Sequence, residues 1–171
     1  MALLDAPQLL DRAARIRLLV LDVDGVMTDG RLWYDAAGRE FKAFNVRDGY
    51  GIRQLMRAGI TVAVISGRAS ESAAGRMRDL GIEHALLGRE DKEPAFDELL
   101  ARTRIAAAET ACVGDDAPDI PLLRRAGLAV AVADCHECLA PVAAWRTSRP
   151  GGRGAVREVC DLLLAARAIA A

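Results

Sequence analysis

The stretch Leu18-Leu19-Val20-Leu21-Asp22-Val23-Asp24-Gly25 constrains the fold of this chain more than any other. Its continuous apolar run has strand length. Such a run reads as a β-strand covered on both faces, the usual condition inside a parallel sheet. Parallel strands need crossover connections, which are commonly helices. The run ends in two aspartates one residue apart, then a glycine that lets the chain turn. In open α/β sheets, ligands bind beyond the carboxyl ends of the strands. Asp22 and Asp24 are therefore predicted at the mouth of a site. Two carboxylates so close repel each other and resist desolvation. Taken alone, Asp-x-Asp-Gly is also an ordinary turn sequence, so the rest of the chain must decide.

Residues 5–14 read as a short amphipathic lead-in helix before the strand at 18–23. Two aromatic-rich runs, 31–34 and 40–46, flank Asp35-Ala36-Ala37-Gly38, which is a hairpin signal. They hold four of the seven aromatic residues. A two-stranded hairpin is not stable alone, so it is expected to pack on another subunit. Asn45 to Gly49 is expected to end the hairpin, and a helix follows at 50–58. Strands are expected at 61–65, 84–87, 110–113 and 128–132. Helices are expected at 71–80, from Pro94 to about residue 104, and at about 120–126. Pro150-Gly151-Gly152-Arg153-Gly154 reads as a flexible link. Val156, Val159, Cys160 and Leu163 mark the buried face of a C-terminal helix. Alternating strands and helices define an α/β, Rossmann-like doubly wound parallel sheet. The expected organisation is one domain over 1–171, with a hairpin insert at 31–46 and a tail and helix at 150–171.

Composition narrows the function. A net charge of −1 with 27% charged residues leaves no basic footprint for nucleic acid. The N-terminus mixes Asp5 and Asp11 with Arg12, Arg15 and Arg17, unlike the basic-then-apolar order of a signal peptide. No apolar run approaches the roughly 20 residues of a membrane span. A cytoplasmic protein without membrane or nucleic-acid partners is expected. Cys112 and Cys160 lie in apolar segments and read as buried thiols. Cys135-His136-Glu137-Cys138 looks like half a zinc site, but no second Cys/His pair stands at suitable spacing. It is expected to be a helix start capped by Asp134.

Polar groups recur where strands end. Asp22 and Asp24 follow the first strand, Ser66 the second, and Asp115 and Asp116 the fourth; Lys92 opens the helix after the third. Each alone is compatible with a turn or a solvated side chain. Together they put four acids, a hydroxyl and an ammonium along one sheet edge. That much negative charge needs a cation, and clustered oxygen ligands favour Mg²⁺.

These four segments, in this order, resemble the four motifs of the haloacid-dehalogenase superfamily of phosphotransferases. The resemblance implies that Asp22 is the nucleophile, forming an aspartyl-phosphate, and that Asp24 is the acid/base. It implies that Ser66 and Lys92 hold the phosphoryl oxygens. Mg²⁺ would be bound by Asp22, the Asp24 carbonyl and Asp115, with Asp116 or Asp119 holding its waters. Only a hairpin and a helix separate the first two strands, too little for a cap domain. This is similar to the capless subgroup, whose members form homotetramers through that hairpin. Asn45-Val46-Arg47-Asp48-Gly49-Tyr50-Gly51 and Gly151-Gly152-Arg153-Gly154 are similar to segments of its phosphatases for an eight-carbon keto-acid 8-phosphate, used in lipopolysaccharide synthesis. The substrate contacts implied are Asp24, Asn45, Val46, Arg47, Asp48, Gly49, Arg53, Arg68, Arg76 and Lys92, with Arg153 reaching a neighbouring subunit's site. The arginines suit a small sugar phosphate that also carries a carboxylate. A nine-carbon keto-acid 9-phosphate and a non-catalytic oligomerisation module are the alternatives.

Overall fold

The computed structural model describes residues 3–170. Its centre is β1 (Leu18–Leu21), in which all four residues are buried. Each such leucine contributes about 1.5–3 kcal/mol by leaving water. β1 pairs in parallel with β4 (Thr61–Ser66) on one side and β6 (Thr110–Gly114) on the other, Leu18 lying opposite both Thr61 and Thr110. β5 (His84–Leu87), β7 (Leu128–Ala131) and the two-residue β8 (Trp145–Arg146) complete six strands in the order β5-β4-β1-β6-β7-β8. β2 (Trp33–Tyr34) and β3 (Glu40–Phe41) form the separate antiparallel hairpin. The expected doubly wound sheet is present. The strand order reverses direction between β5 and β6, so right-handed crossovers place the helices before and after that point on opposite faces.

Capping residues set the helix starts. Asp5 caps α1 (Ala6–Ala14) by accepting from the Gln8 amide at 2.9 Å. Ser70 caps α3 (Glu71–Leu80), and Gly81 ends it in the left-handed conformation. Two starts lie earlier than expected. α2 (Val46–Arg57) begins inside the segment assigned to the hairpin, because Asn45 accepts from the Arg47 amide at 2.8 Å and so caps a helix at Val46. α4 (Lys92–Thr103) begins two residues before Pro94, with Asp91 as its cap. Proline is accommodated there because first-turn amides have no intrahelical acceptor. α5 (Ile120–Arg125) leads into β7, and α6 (Ala155–Ala170) packs its buried Val156, Val159, Cys160 and Leu163 against α1 and α2.

Two other expectations are corrected. Residues 150–154 are not a flexible link. The Gly152 amide donates to the Val26 carbonyl at 2.9 Å and the Gly151 amide to Asp134 Oδ1 at 2.9 Å. A Cβ on Gly151 would stand 1.7 Å from the Gly25 carbonyl oxygen. The tail is thus wedged under the Asp22–Gly30 turn. Asp134, engaged by Gly151, does not cap the Cys135–Cys138 segment. His136 does so, its Nδ1 accepting from the Cys138 amide at 3.2 Å, and only one short turn (Glu137–Leu139) follows. Among the described residues no helix is long and apolar enough to cross a membrane.

Candidate active site

The carboxyl ends of β1, β4 and β6 open into a cleft of about 380 Å³. Asp22, Asp24, Ser66, Arg68, Lys92 and Asp115 all line it. Just after β1 the chain makes a tight turn over Val23–Met27 in which Gly25 has φ +89°. Thr28 locks that turn. Its hydroxyl accepts from the Gly25 amide at 3.4 Å and the Gly30 amide at 3.2 Å, and faces the Val23 carbonyl at 3.4 Å. Glycine is required at position 25, because a Cβ there would lie 2.0 Å from Asp115 Oδ2. The close approach of the two loops depends on that missing atom.

Lys92, at the start of α4, is buried between two acids. Its Nζ lies 2.8 Å from Asp22 Oδ1 and 2.7 Å from Asp119 Oδ1. Asp119 also organises the loop after β6, accepting from the Asp115 amide at 2.9 Å. Asp22, Asp115 and Asp119 each offer a carboxylate oxygen, all within 4.8 Å of one another. One ammonium does not neutralise three acids. Burial pushes the Asp22 carboxyl up to about 6; Lys92 opposes the shift and Asp119 adds to it. Burial, then the charges of Asp22 and Asp119, push Asp115 up to about 7. Burial disfavours the Lys92 ammonium, yet the two neighbouring acids outweigh it and hold its pKa above the usual lysine value. An all-oxygen trio with unbalanced negative charge fits a hard divalent cation such as Mg²⁺.

Asp24 faces another way. Its Oδ1 is in contact with Lys42 Nζ, and its Oδ2 is 3.7 Å from Arg68 Nε. The Lys42 side chain is fully buried and also lies 3.3 Å from Glu40 Oε1. Glu40 accepts from Arg68 at 2.6 Å and Ser70 at 2.6 Å. Burial would raise the Glu40 carboxyl, but donors from Ser70, Arg68 and Lys42 pull it well down. Glu40 and Lys42 were missed at the level of sequence. The available signal was their spacing: in extended chain, positions 40 and 42 share one face and Phe41 takes the other.

Other sequence candidates lie outside the cleft. Asn45 caps α2 and donates from its side-chain amide to the Gly152 carbonyl at 3.2 Å. Asp48 is buried and accepts from the Arg157 amide at 2.8 Å, capping α6 instead of facing ligand. Burial raises its carboxyl despite backbone donors from Arg157 and Gly154. Gly49 packs against Arg76, while Val46 and Arg47 are exposed. Arg76 pairs with Asp79 at 2.7 Å and lies over the Phe44 ring. Arg53 donates to the Asp79 carbonyl at 2.5 Å. It lines a larger open groove of about 770 Å³, beside Thr61 and His84 at the amino ends of β4 and β5. That groove lies at the opposite edge of the sheet from the acids and offers no such clustered set of carboxylates. Arg153 lies 3.6 Å from Asp29 of its own chain.

Sheet, acids and ammonium together define a hydrolase site of the kind that handles anionic esters. Residues 50–127 match the family described as haloacid dehalogenase-like hydrolase. A relative from Yersinia pestis named 3-deoxy-D-manno-octulosonate 8-phosphate phosphatase KdsC is 51% identical over 162 residues, covering 95% of this chain and 87% of that one. A relative of the same name from Escherichia coli K12 is 51% identical over 156 residues, covering 91% and 83%. A crystal structure of the phosphatase of that name from Moraxella catarrhalis, in complex with magnesium, phosphate and KDO, superposes with a TM-score of 0.93 at 38% identity, covering 96% and 94%. The chain belongs to the haloacid dehalogenase-like hydrolases, in the capless family of the 3-deoxy-D-manno-octulosonate 8-phosphate phosphatases. It is a phosphoric monoester hydrolase.

Proposed function

We propose that this chain is a Mg²⁺-dependent, single-domain cytoplasmic phosphatase that hydrolyses 3-deoxy-D-manno-octulosonate 8-phosphate to 3-deoxy-D-manno-octulosonate and phosphate, for lipopolysaccharide biosynthesis. One observation carries the reading: Asp22, Asp115, Asp119 and Lys92 meet in one cleft of a chain 51% identical to phosphatases of that name.

Asp22 attacks phosphorus in line with the C8–oxygen leaving group. The bond from phosphorus to that oxygen breaks, and an aspartyl-phosphate forms on Asp22. Asp24 gives the departing oxygen its proton. It then takes a proton from the water that attacks the aspartyl-phosphate, releasing phosphate and restoring Asp22. Splitting one displacement into two lowers each barrier. Lys92 orients Asp22 and offsets the charge of the phosphoryl oxygens, and the Ser66 hydroxyl donates to one of them. Asp22, Asp115 and Asp119, with the Asp24 carbonyl, would hold the Mg²⁺. When bound, the ion neutralises charge on the phosphoryl group, which a carboxylate nucleophile could not otherwise approach. Arg68 is the cleft residue suited to the sugar-acid carboxylate.

The hairpin presents Leu32, Trp33, Tyr34 and Phe41, each about half exposed. Burying them between copies of the chain supports a homotetramer. In that assembly the exposed Val46 and Arg47 would reach a neighbouring cleft, and Arg153 would do so by leaving Asp29 of its own chain.

The test is phosphate release from a panel of keto-sugar phosphates, with Mg²⁺ and with EDTA. Preference for the eight-carbon 8-phosphate, abolished by EDTA and by Asp22→Asn, is the expected result. Preference for a nine-carbon 9-phosphate would overturn the substrate. Absence of release from every member would overturn catalysis and leave an oligomerisation module.

A further inference from the structure

A second cluster of ligating atoms stands at the rim of the cleft, apart from the Asp22, Asp115 and Asp119 carboxylates. Asp116, His136 and Cys138 each offer one ligand atom, all within 4.8 Å of one another. Cys138 Sγ is 3.7 Å from Asp116 Oδ1, and His136 Nδ1 is 3.9 Å from the same oxygen. Tetrahedral zinc, with Zn–S near 2.3 Å and Zn–N and Zn–O near 2.0–2.2 Å, spaces its ligand atoms by about 3.3–3.7 Å. The thiol–carboxylate separation already matches that spacing, the imidazole–carboxylate separation must close by about half an ångström, and the thiol and imidazole stand within 4.8 Å of each other. We propose that they form a separate binding site for a soft divalent cation of the Zn²⁺ class, with the fourth position open to water.

The sequence shows only half of this site, because Asp116 lies 22 residues from Cys138. The fold supplies the third ligand. Asp116 sits in the loop after β6, while His136 and Cys138 sit in the loop after β7. The two loops are tied by the His136 amide donating to the Asp115 carbonyl at 2.7 Å. Asp116 is steadied by the Ala117 amide, 2.7 Å from its Oδ1. His136 Nδ1 accepts from the Cys138 amide, so the metal would displace that bond or take the imidazole through Nε2. Donor chemistry separates the two sites. Three carboxylates select Mg²⁺, whereas thiolate, imidazole and carboxylate together select zinc or cobalt. All three side chains are accessible, which admits an ion from solvent without opening the core. Asp116 also lines the catalytic cleft, so an ion bound there would sit at its entrance.

Cobalt(II) titrated into the full chain, with Mg²⁺ in excess, tests the proposal through absorbance alone. The expected result is a thiolate-to-cobalt charge-transfer band in the near ultraviolet that saturates at one equivalent and is bleached by zinc. Cys138→Ser should abolish it, and His136→Ala should weaken binding by about tenfold or more. Cys135→Ser and Asp22→Asn should leave it intact. Absence of a thiolate band, or a band that survives Cys138→Ser, would overturn the assignment. Neither readout depends on the substrate or on turnover.

Discussion

Lys42 buries its ammonium against the carboxylate of Asp24, joining the root of the hairpin to the proposed acid/base. The contact crosses 18 residues of sequence and holds Asp24 away from the Asp22, Asp115 and Asp119 cluster. Without Lys42, Asp24 keeps only the longer approach of Arg68 at 3.7 Å. A misplacement of about 1 Å at a reacting group can cost on the order of 100-fold. Lys42→Met is therefore expected to lower kcat/KM by about 10- to 100-fold. Its Mg²⁺ affinity should stay near wild type, because Lys42 touches none of the three clustered acids. Steady-state kinetics with a Mg²⁺ titration checks both halves, and loss of Mg²⁺ binding would show that the hairpin shapes the metal site as well.

Lys92 acts on stability as well as chemistry. Its side chain is almost fully buried with two acid partners. Removing one member of a buried charge group typically costs about 3–5 kcal/mol, since the remaining charges lose their compensation. Lys92→Met should lose about that much in urea unfolding at neutral pH without Mg²⁺. The loss should shrink when Mg²⁺ is added, because the ion replaces part of the missing positive charge. A variant with wild-type stability would mean that Asp22 and Asp119 are not ionised together.

The acid cluster sets a pH dependence with a definite sign. Asp22 and Asp115 titrate higher in the folded chain, near 6 and 7, than the 3.8 of a free aspartate. The folded state thus holds more protons than the unfolded state between about pH 4 and pH 7. Stability contributed by these groups falls as pH rises through that window. Glu40 works the opposite way and lower down: its depressed carboxyl adds stability above about pH 4.5 that is lost as pH falls toward 2. Mg²⁺ competes with the protons on the acid cluster. Its gain in Tm should be small near pH 4, grow to about pH 7 and then level off. A gain independent of pH would separate the ion from Asp22 and Asp115.

Where a single local pattern specified an element, the sequence disclosed it. Glu71–Leu80 and His84–Leu87 appear at the expected bounds, because a serine cap, a left-handed glycine and a short apolar run are all encoded nearby. The strand ends that carry Asp22, Ser66 and Asp115 were legible for the same reason, and their convergence followed from parallel topology alone. What stayed hidden depends on distant pairs. Asp48 reads as a polar residue in a ligand segment until α6 arrives to be capped by it. Asp119 reads in the sequence as an alternative to Asp116 for holding the ion's waters, and its place among the clustered acids depends on Lys92 and the Asp115 amide, which fix its carboxylate. Gly151 and Gly152 read as slack because glycine serves both loose chain and tight contact, and only the neighbouring turn distinguishes them.

That distinction gives the last prediction. A link would tolerate a methyl group at position 151, and a wedge would not. A Cβ on Gly151 would meet the Gly25 carbonyl oxygen at 1.7 Å and its carbon at 2.5 Å, and both are backbone atoms of the turn behind Asp22 and Asp24. Relief requires the tail or the turn to move, and overpacking of this kind costs about 1–3 kcal/mol or somewhat more. Gly151→Ala should therefore lower stability by about 3 kcal/mol and reduce kcat as the turn shifts. Gly38→Ala is the control for the loss of a glycine, since nothing lies within 4 Å of the atom it would add at the hairpin tip, although φ +77° strains any side chain there. Urea unfolding and initial rates on the two variants give the comparison. Equal, small losses in both would return residues 150–154 to the status of a loose connection. A large loss at position 151 alone, with kcat falling alongside, would make the tail part of the scaffold that aims the two aspartates.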